Sequence, residues 1–165
     1  MITIQPIGPW NTETYKAVRL RALLDTPSAF GSTYARESQF TDAEWMKRVN
    51  NANGEKGIGY LAMDGSIACG IAGGLLDQED ATQASLVSMW TAPSHQQQGV
   101  GRLLVDAVIA WAQSRGVRRL LLMVVCTNEP AILFYKRLGF ALTGRTEPYP
   151  NDPTLVEFEM SREII

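Results

Sequence analysis

The feature that most restricts the fold of this chain is an apolar segment that runs straight into a glycine-bearing bend and then into an amphipathic pattern. Residues 84–92 read ASLVSMWTA, and residues 93–101 contain three glutamines and two glycines. From Val100 to Trp111, apolar residues recur at the spacing of one helix face. The pattern therefore predicts a strand, a tight bend and a helix in immediate succession.

A second apolar run, LLLMVV at 120–125, follows the predicted helix. It is apolar at every position, as is typical of a central strand that is covered on both faces. A strand–helix–strand connection of this kind joins neighbouring parallel strands with a right-handed crossover. We therefore predict one parallel strand pair with the helix packed against it.

The rest of the chain predicts an antiparallel meander and further helices. Thr41 and Glu44 form a capping box that opens one helix, and the sequence DGS at 64–66 marks a hairpin turn. Segments 29–38 and 144–153 are predicted to be connections without regular structure. The predicted strands are 2–7, 57–63, 66–76, 84–92, 120–125, 140–143 and 155–160, and the predicted helices are 11–26, 42–53, 99–115 and 130–138. The predicted fold class is α+β, a mixed, mostly antiparallel sheet of about seven strands with about four flanking helices.

The composition restricts the class of protein. A chain of 165 residues has the size of one ordinary domain, and we predict a single domain over 1–165. The net charge of −2 predicts no broad basic surface for nucleic acid or for an anionic membrane. No apolar run approaches the ~18 residues that span a bilayer, and no secretory signal is recognisable, so we expect a cytoplasmic protein. Cys69, Cys126 and His95 lack the spacing of metal ligands, so we expect reduced thiols and no metal site.

The glycine-bearing bend has the properties of an anion-binding site. The first four amides of a helix have no intrahelical partner, and the helix dipole adds partial positive charge there. Gly99 and Gly101 carry no Cβ that would keep a bulky anion away from the backbone. The amides of 97–102 are therefore predicted to bind a pyrophosphate, with Arg102 adding a charge-assisted hydrogen bond. The sequence matches neither the Walker phosphate loop nor the dinucleotide-binding fingerprint.

A second polar motif follows the next predicted strand. Asn128 lies at the start of the helix 130–138, and Tyr135 lies two turns along it. Each residue has a structural explanation, Asn128 as a helix N-cap and Tyr135 as a half-buried aromatic side chain on an amphipathic helix. The residues alone leave both the structural and the functional interpretation open.

Taken together, the two motifs resemble those of the GNAT superfamily of acetyl-CoA-dependent N-acetyltransferases. The likeness extends over 86–140, and the order of elements agrees with that fold over the whole chain. The motifs that carry it are Gln96-x-x-Gly99-x-Gly101 and Asn128-x-x-Ala131-x-x-Phe134-Tyr135-x-x-x-Gly139-Phe140.

The resemblance implies acetyl-CoA as co-substrate, held between two parallel strands that splay apart. The pantetheine arm would bond the backbone of the first strand, and one amide of that strand would point at the acetyl carbonyl. Thr91 and Tyr135 are the catalytic residues that it implies, Tyr135 as the group that protonates the departing thiolate. The cofactor-binding residues that it implies are Met89, Trp90, Thr91, Gln96, Gln97, Gln98, Gly99, Val100, Gly101, Arg102, Asn128 and Tyr135.

The general base is not identified by this resemblance. In the ribosomal-protein N-terminal acetyltransferases, a close branch, a glutamate stands five residues before the motif asparagine, and here that position is Met123. Either ordered water carries the amine proton away, or a carboxylate comes from Glu37, Glu157 or Glu159. Both alternatives stay open at this point.

The resemblance places the acceptor pocket between segments 29–38 and 144–153. Tyr34 and Tyr149 are candidate pocket walls, with Arg145 and Glu147 as polar contacts. Tyr149-Pro150 resembles a pair in the N-terminal acetyltransferases and favours a peptide acceptor. The methionine at 123 favours a different acceptor.

The preferred hypothesis is an N-acetyltransferase that acts on the primary amine of a small molecule by direct attack in a ternary complex. Acetylation of a protein N-terminus or lysine is the second hypothesis, and a non-catalytic acyl-CoA-binding module is the third. A hydrolase built from Cys126 and His95 is the fourth. We expect no nucleic-acid or membrane partner, and association into a homodimer through a sheet edge is compatible with this fold.

Overall fold

One seven-stranded sheet forms the centre of the computed structural model, which describes residues 1–164. The strands are β1 (Ile2–Pro6), β2 (Gly57–Asp64), β3 (Ile67–Leu76), β4 (Gln83–Thr91), β5 (Arg119–Val125), β6 (Ala141–Tyr149) and β7 (Asp152–Glu163). The α-helices are α1 (Thr12–Asp25), α2 (Tyr34–Glu37), α3 (Asp42–Asn51), α4 (Val100–Ser114) and α5 (Glu129–Arg137). The strand order is β1-β2-β3-β4-β5-β7-β6.

The predicted parallel pair is present as β4 and β5, and the other neighbouring strands pair antiparallel. The parallel register consists of Gln83↔Arg119, Ala84↔Leu120 and Ser85↔Leu121 only. Beyond Ser85 the two strands no longer pair, although both continue toward their carboxyl ends. The sheet therefore has a gap between the later halves of β4 and β5, which confirms an α+β fold with a splayed parallel pair.

Helices cover both faces of the sheet. At Gly74 of β3, a Cβ would come within 2.7 Å of the Trp111 ring of α4, so the glycine allows this helix to lie close to the strand. Ile71 and Gly73 of the same strand instead line space beneath α1 and α3. Because successive residues of β3 face opposite sides of the sheet, α4 forms the helical layer on one side and α1 to α3 form the layer on the other.

Two predicted connections contain regular structure. Segment 29–38 holds the short helix α2, whose first turn is capped by the Thr33 side chain. The sequence predicts a loop at 144–153, but β6 and β7 extend through most of this segment. Pro148 is compatible with β6 because β6 is an edge strand, where a missing amide is tolerated. The left-handed Gly144 (φ 91°) lies where the β6–β7 register shifts.

No helix within residues 1–164 is long and apolar enough to cross a membrane. Within the same residues there is no cluster of three or more metal-ligating side chains of the kind that holds a metal ion. Both cysteines are free, with Cys69 buried and Cys126 partly exposed. His95 bonds Ser94 and Asp64 through its two ring nitrogens, so it is not paired with Cys126.

Candidate active site

A β-bulge shapes β4 beside the gap. Ile71↔Trp90 and Gly73↔Val87 are in register, so one residue of β3 faces two residues of β4, Ser88 and Met89. Ser88 adopts a φ of 58°, a left-handed conformation that costs a serine about 1 kcal/mol or more. A bulge turns backbone groups out of the ladder, and here it does so on the strand that lines the gap.

The bend before α4 leaves its amides uncapped. Gln97 (φ 62°) and Gly99 (φ 81°) are both left-handed, and Gly99 is the N-cap residue without a side-chain hydrogen bond. The amide of Leu103 donates to the Gly99 carbonyl at 3.1 Å. The preceding helical amides therefore lie before the intrahelical ladder and face outward at the positive end of the helix dipole.

Gly101 has a packing role that the sequence did not predict. A Cβ at this position would lie 2.9 Å from Cζ of Phe134 and 3.4 Å from Cε of Met89. Its missing side chain therefore makes room for α5 and β4, whereas the argument from anion access applies to Gly99, where a Cβ would meet nothing within 4 Å. The same contacts bring the start of α4, the bulged strand and α5 together at one point.

Asn128 and Tyr135 both lie on α5 near this point. Asn128 is the N-cap, and its Oδ1 accepts from the Ala131 amide at 3.3 Å, so the structural interpretation of this residue is confirmed. Its Nδ2 has no partner among residues 1–164 and stays available as a donor.

The Tyr135 side chain is 9% exposed, and burial raises the pKa of its phenol above the ordinary value. The ring packs edge-to-face against Phe134 and Phe140 at centroid distances of 5.2 and 5.9 Å. Its hydroxyl makes no hydrogen bond to another described residue. The fully enclosed polar atoms that lack a partner are on other residues, so the Tyr135 oxygen keeps some exposure. The hydroxyl is therefore a protonated donor that no described residue engages and whose oxygen is not completely enclosed.

A buried ion-pair network joins α1 and α2 to the bulge. Arg19 donates from Nε and Nη2 to the two carboxylate oxygens of Glu37, both at 2.9 Å, and from Nη1 to Oγ of Ser88 at 2.9 Å. Arg48 adds a contact of 3.2 Å to Glu37. Arg19 is 5% exposed and Glu37 is fully buried. The only signal in the sequence is a charged residue on the apolar face of α1, beside Val18.

This network removes Glu37 from the candidate bases. Burial alone would raise the pKa of Glu37, but the hydrogen bonds and positive charge of Arg19, and then Arg48, lower it below the ordinary value. A carboxylate held in this way has no free oxygen directed at an amine. Glu37 is thus a structural residue rather than a solvated carboxylate or a base.

The remaining two candidate bases lie on β7, on the same face as Met123. Met123 is in register with Glu159 and Val125 with Glu157, and opposite residues of an antiparallel pair share a face. Glu159 accepts from Thr143 Oγ1 at 3.0 Å and lies 3.8 Å from Arg145. Glu157 is half-buried, and its side chain makes no hydrogen bond or ion pair with another described residue.

The predicted acceptor residues differ in their exposure and in their contacts. Tyr34 is exposed on α2. Arg145 pairs with Glu147 at 2.8 Å and is largely exposed. Tyr149 is 5% exposed, and its hydroxyl donates to the carbonyl oxygen of Phe30 at 2.7 Å. Tyr149 therefore fastens the β6–β7 hairpin to the α1–α2 connection instead of forming an open pocket wall.

A cavity of ≈ 610 Å³ lies on the α1–α3 side of the sheet. It extends from α3, across β2 and β3, to Val87 and Ser88 of β4. The cavity thus ends at the bulge, next to the gap. None of Tyr34, Arg145 and Tyr149 lines it. No local pattern of residues predicts this cavity, because its walls come from six separate elements.

Trp90 contributes only its backbone to the gap. Its ring is buried, its Nε1 donates to Asp25 of α1 at 2.9 Å, and the Arg21 guanidinium lies 5.3 Å from the ring centroid.

Two other predicted cofactor-binding side chains lie at or near the bend before α4. Arg102 is exposed, with its Nε 4.0 Å from Oδ2 of Asp106. Gln98 donates to the Ser94 carbonyl at 3.3 Å, which ties the bend to the preceding turn.

Comparison with known proteins finds acetyltransferases both by family model and by sequence similarity. The family model described as acetyltransferase (GNAT) family matches residues 17–140. The [ribosomal protein bS18]-alanine N-acetyltransferase of Escherichia coli strain K12 is 32% identical over 129 residues, which cover 76% of this chain and 82% of that protein.

Streptothricin acetyltransferase of Streptomyces lavendulae is 43% identical over 53 residues, and this match spans 32% of the chain but only 28% of that protein. Among solved structures, a GNAT-family acetyltransferase of Streptococcus pneumoniae superimposes with a TM-score of 0.82 at 23% identity, covering all of both chains. That likeness concerns the fold alone.

Proposed function

The chain belongs to the GNAT acetyltransferase family, and from this membership we propose that it transfers the acetyl group of acetyl-CoA to the primary amine of a small molecule, by direct attack in a ternary complex. The cavity that ends at Ser88 is the observation that carries this proposal. Its volume of ≈ 610 Å³ lies within the range of about 300–1,000 Å³ that is usual for small-molecule sites.

The described residues fit coenzyme A. Uncapped amides at the start of α4 suit a pyrophosphate because they combine donors with the helix dipole. The unpaired half of β4 suits an arm that bonds the strand edge. Asn128 Nδ2 is an additional free donor at the start of α5. We assign the pyrophosphate to 97–102 and the arm to 89–91 and Asn128.

Bound acetyl-CoA supplies the acetyl group as a thioester, so the acyl carbon is already activated for attack by a neutral amine. The backbone at 89–91, turned by the bulge, provides a hydrogen-bond donor for the carbonyl oxygen, and such a donor lowers the barrier by about 3 kcal/mol in other acyl-transfer enzymes. Tyr135 donates its phenol hydrogen toward the departing sulfur. A phenol is less acidic than the thiol, so Tyr135 acts chiefly as a hydrogen-bond donor and its effect is moderate.

The acceptor amine has to lose its proton. An alkylamine with a pKa of about 10.4 is neutral only once in roughly 2,500 at pH 7, which corresponds to about 4.6 kcal/mol. We propose Glu157 as the group that receives this proton, because it is the one carboxylate of the three candidates without a partner in the described chain. Burial, and then the charge of Glu147, raise its pKa above the ordinary value, toward that of an effective base.

Replacing Glu157 by glutamine should lower kcat/KM at pH 7 about tenfold, near the lower limit for a general base because water can partly replace the half-buried carboxylate. In the wild type, activity should rise with pH as Glu157 loses its proton, with a midpoint above the ordinary glutamate pKa. A pH–rate profile measures this rise, which is the acid limb of the profile. The Glu157→Gln variant should lack it.

Glu159→Gln is the matched control and should retain the acid limb. The raised pKa of Glu157 means that its charged form is disfavoured in the folded state, so Glu157→Gln should unfold at an equal or higher temperature at neutral pH. An unchanged pH profile in Glu157→Gln, or loss of the limb in Glu159→Gln, would contradict the assignment.

A protein N-terminus is the second candidate acceptor, and the relative named for a ribosomal-protein alanine favours it. Met123 and the engaged Tyr149 hydroxyl favour the small molecule. The deciding experiment follows thiol release from acetyl-CoA over amino acids, amino-sugar antibiotics, polyamines and short peptides. Turnover with small amines supports the proposal, whereas turnover with peptides alone, or with none of these amines, contradicts it.

A further inference from the structure

The cavity that reaches Ser88 is lined by more positive than negative charge. Its charged side chains are Arg36 of α2 and Glu44, Lys47 and Arg48 of α3. Three cations therefore face one carboxylate in a space that we have assigned to the acceptor. Since an acceptor amine is itself cationic in solution, this excess needs an explanation from another part of the acceptor.

Two of the three cations have no partner in the part of the protein that the structure describes. Arg36 and Lys47 make no side-chain hydrogen bond or ion pair with any residue from 1 to 164. Arg48 is partly engaged, 3.2 Å from Glu37. The single carboxylate, Glu44, accepts from the Thr41 amide at 3.3 Å as part of the helix cap. Arg36 and Lys47 are thus left available to a ligand.

The positions of these groups define a direction along the cavity. Ser88 and Val87 form its end at β4, next to the assigned thioester position. Lys47 lies on α3 and Arg36 on α2, both on the helical wall that faces the sheet across the cavity. An acceptor that fills the cavity therefore has one end near Ser88 and another part near the two cations.

We propose that the acceptor is an amine that also carries an anionic group, a carboxylate or a phosphate, and that Arg36 and Lys47 bind this group while the amine extends toward Ser88. Guanidinium and ammonium groups are the side chains that recognise such anions through charge-assisted hydrogen bonds. This inference rests on the proposed function, because it assigns the substrate class of the same cavity. It excludes polyamines and other purely cationic amines as good substrates, since the cavity would repel them.

The test uses matched acceptors. Each amino acid in the panel is compared with its carboxamide and with its decarboxylated amine, and each amino-alcohol phosphate is compared with the free amino alcohol. We expect kcat/KM to be at least tenfold higher for the carboxylate or the phosphate member of a pair. Whichever series shows the larger ratio identifies which of the two anions the site prefers.

Variants then locate the effect. Arg36→Gln with Lys47→Gln should raise KM for the anionic acceptor about tenfold, leave KM for acetyl-CoA unchanged, and leave the neutral analogue unaffected. Lys47→Glu should abolish the preference within a pair, because Arg36 and Arg48 would then face two carboxylates. Lys56→Gln is the control for loss of a cation outside the cavity, because Lys56 is exposed and does not line the cavity, and it should behave as the wild type.

Amine acetylation that is equally fast for both members of each pair would overturn this inference and leave the proposed function intact. A preference for anionic acceptors that survives in the double variant would also overturn it, because the anion would then be bound elsewhere. Thiol release with none of the amines would overturn the inference together with the proposed function.

Discussion

Tyr135→Phe is expected to lower kcat about 100-fold and to change KM for acetyl-CoA less than about twofold. The substitution removes one hydroxyl and keeps the ring that packs between Phe134 and Phe140. Because the hydroxyl has no partner in the described chain, its loss leaves no buried polar group unpaired, and the melting temperature should not fall. Steady-state kinetics and thermal unfolding measure the two effects separately.

Tyr60→Phe is the control for this substitution. Tyr60 lies on β2, away from the gap, and also loses only a hydroxyl, so its kcat should equal that of the wild type. Equal kcat values for Tyr135→Phe and the wild type would remove Tyr135 from the catalytic residues.

Glu37→Gln is expected to lower the free energy of unfolding by about 3 kcal/mol, which is a fall in melting temperature of roughly 6–12 °C for a chain of this size. The substitution keeps the shape of the side chain but leaves the buried Arg19 guanidinium without a counter-charge. Since Arg19 also bonds Ser88, we expect kcat to fall as well. Urea unfolding and kinetics of the same preparation measure both.

The pH dependence has a defined sign. Because the pKa of Glu37 lies below its ordinary value in the fold, its contribution is complete above the ordinary glutamate pKa. It is lost as the pH falls through the lowered value. The difference in stability between wild type and Glu37→Gln should therefore shrink only in that acid range.

A double variant separates stability from positioning of the bulge. Arg19→Met with Glu37→Leu replaces the ion pair by apolar side chains of similar size, which commonly restores stability. It cannot restore the bond to Ser88, so its kcat should stay low although its melting temperature recovers. Full activity in the double variant would mean that the network only stabilises the fold.

The parts of the site that the sequence predicted are those specified by local chemistry. Apolar periodicity places α4 directly after β4, the Asn128 cap starts α5, and the capping box of Thr41 and Glu44 starts α3. Each of these signals lies within a single helix and its cap, so the sequence contains it in full. The parallel pair followed from the order of these elements.

The parts that it missed depend on contacts between distant segments. Ser88 looks like an ordinary strand residue, and only its register against Ile71 and Gly73 makes it a bulge. Arg19 and Glu37 are separated by 18 residues, so no local pattern pairs them. The role of Gly101 likewise depends on Phe134, which comes from the next helix.

Amide hydrogen exchange with and without coenzyme A measures whether the parted strands and the uncapped start of α4 hold this molecule. Coenzyme A should slow exchange at 97–102 and at 89–91, while strands β1 and β2 remain unchanged. Absence of binding, or binding that leaves both of those segments exchanging as in the free protein, would contradict the account.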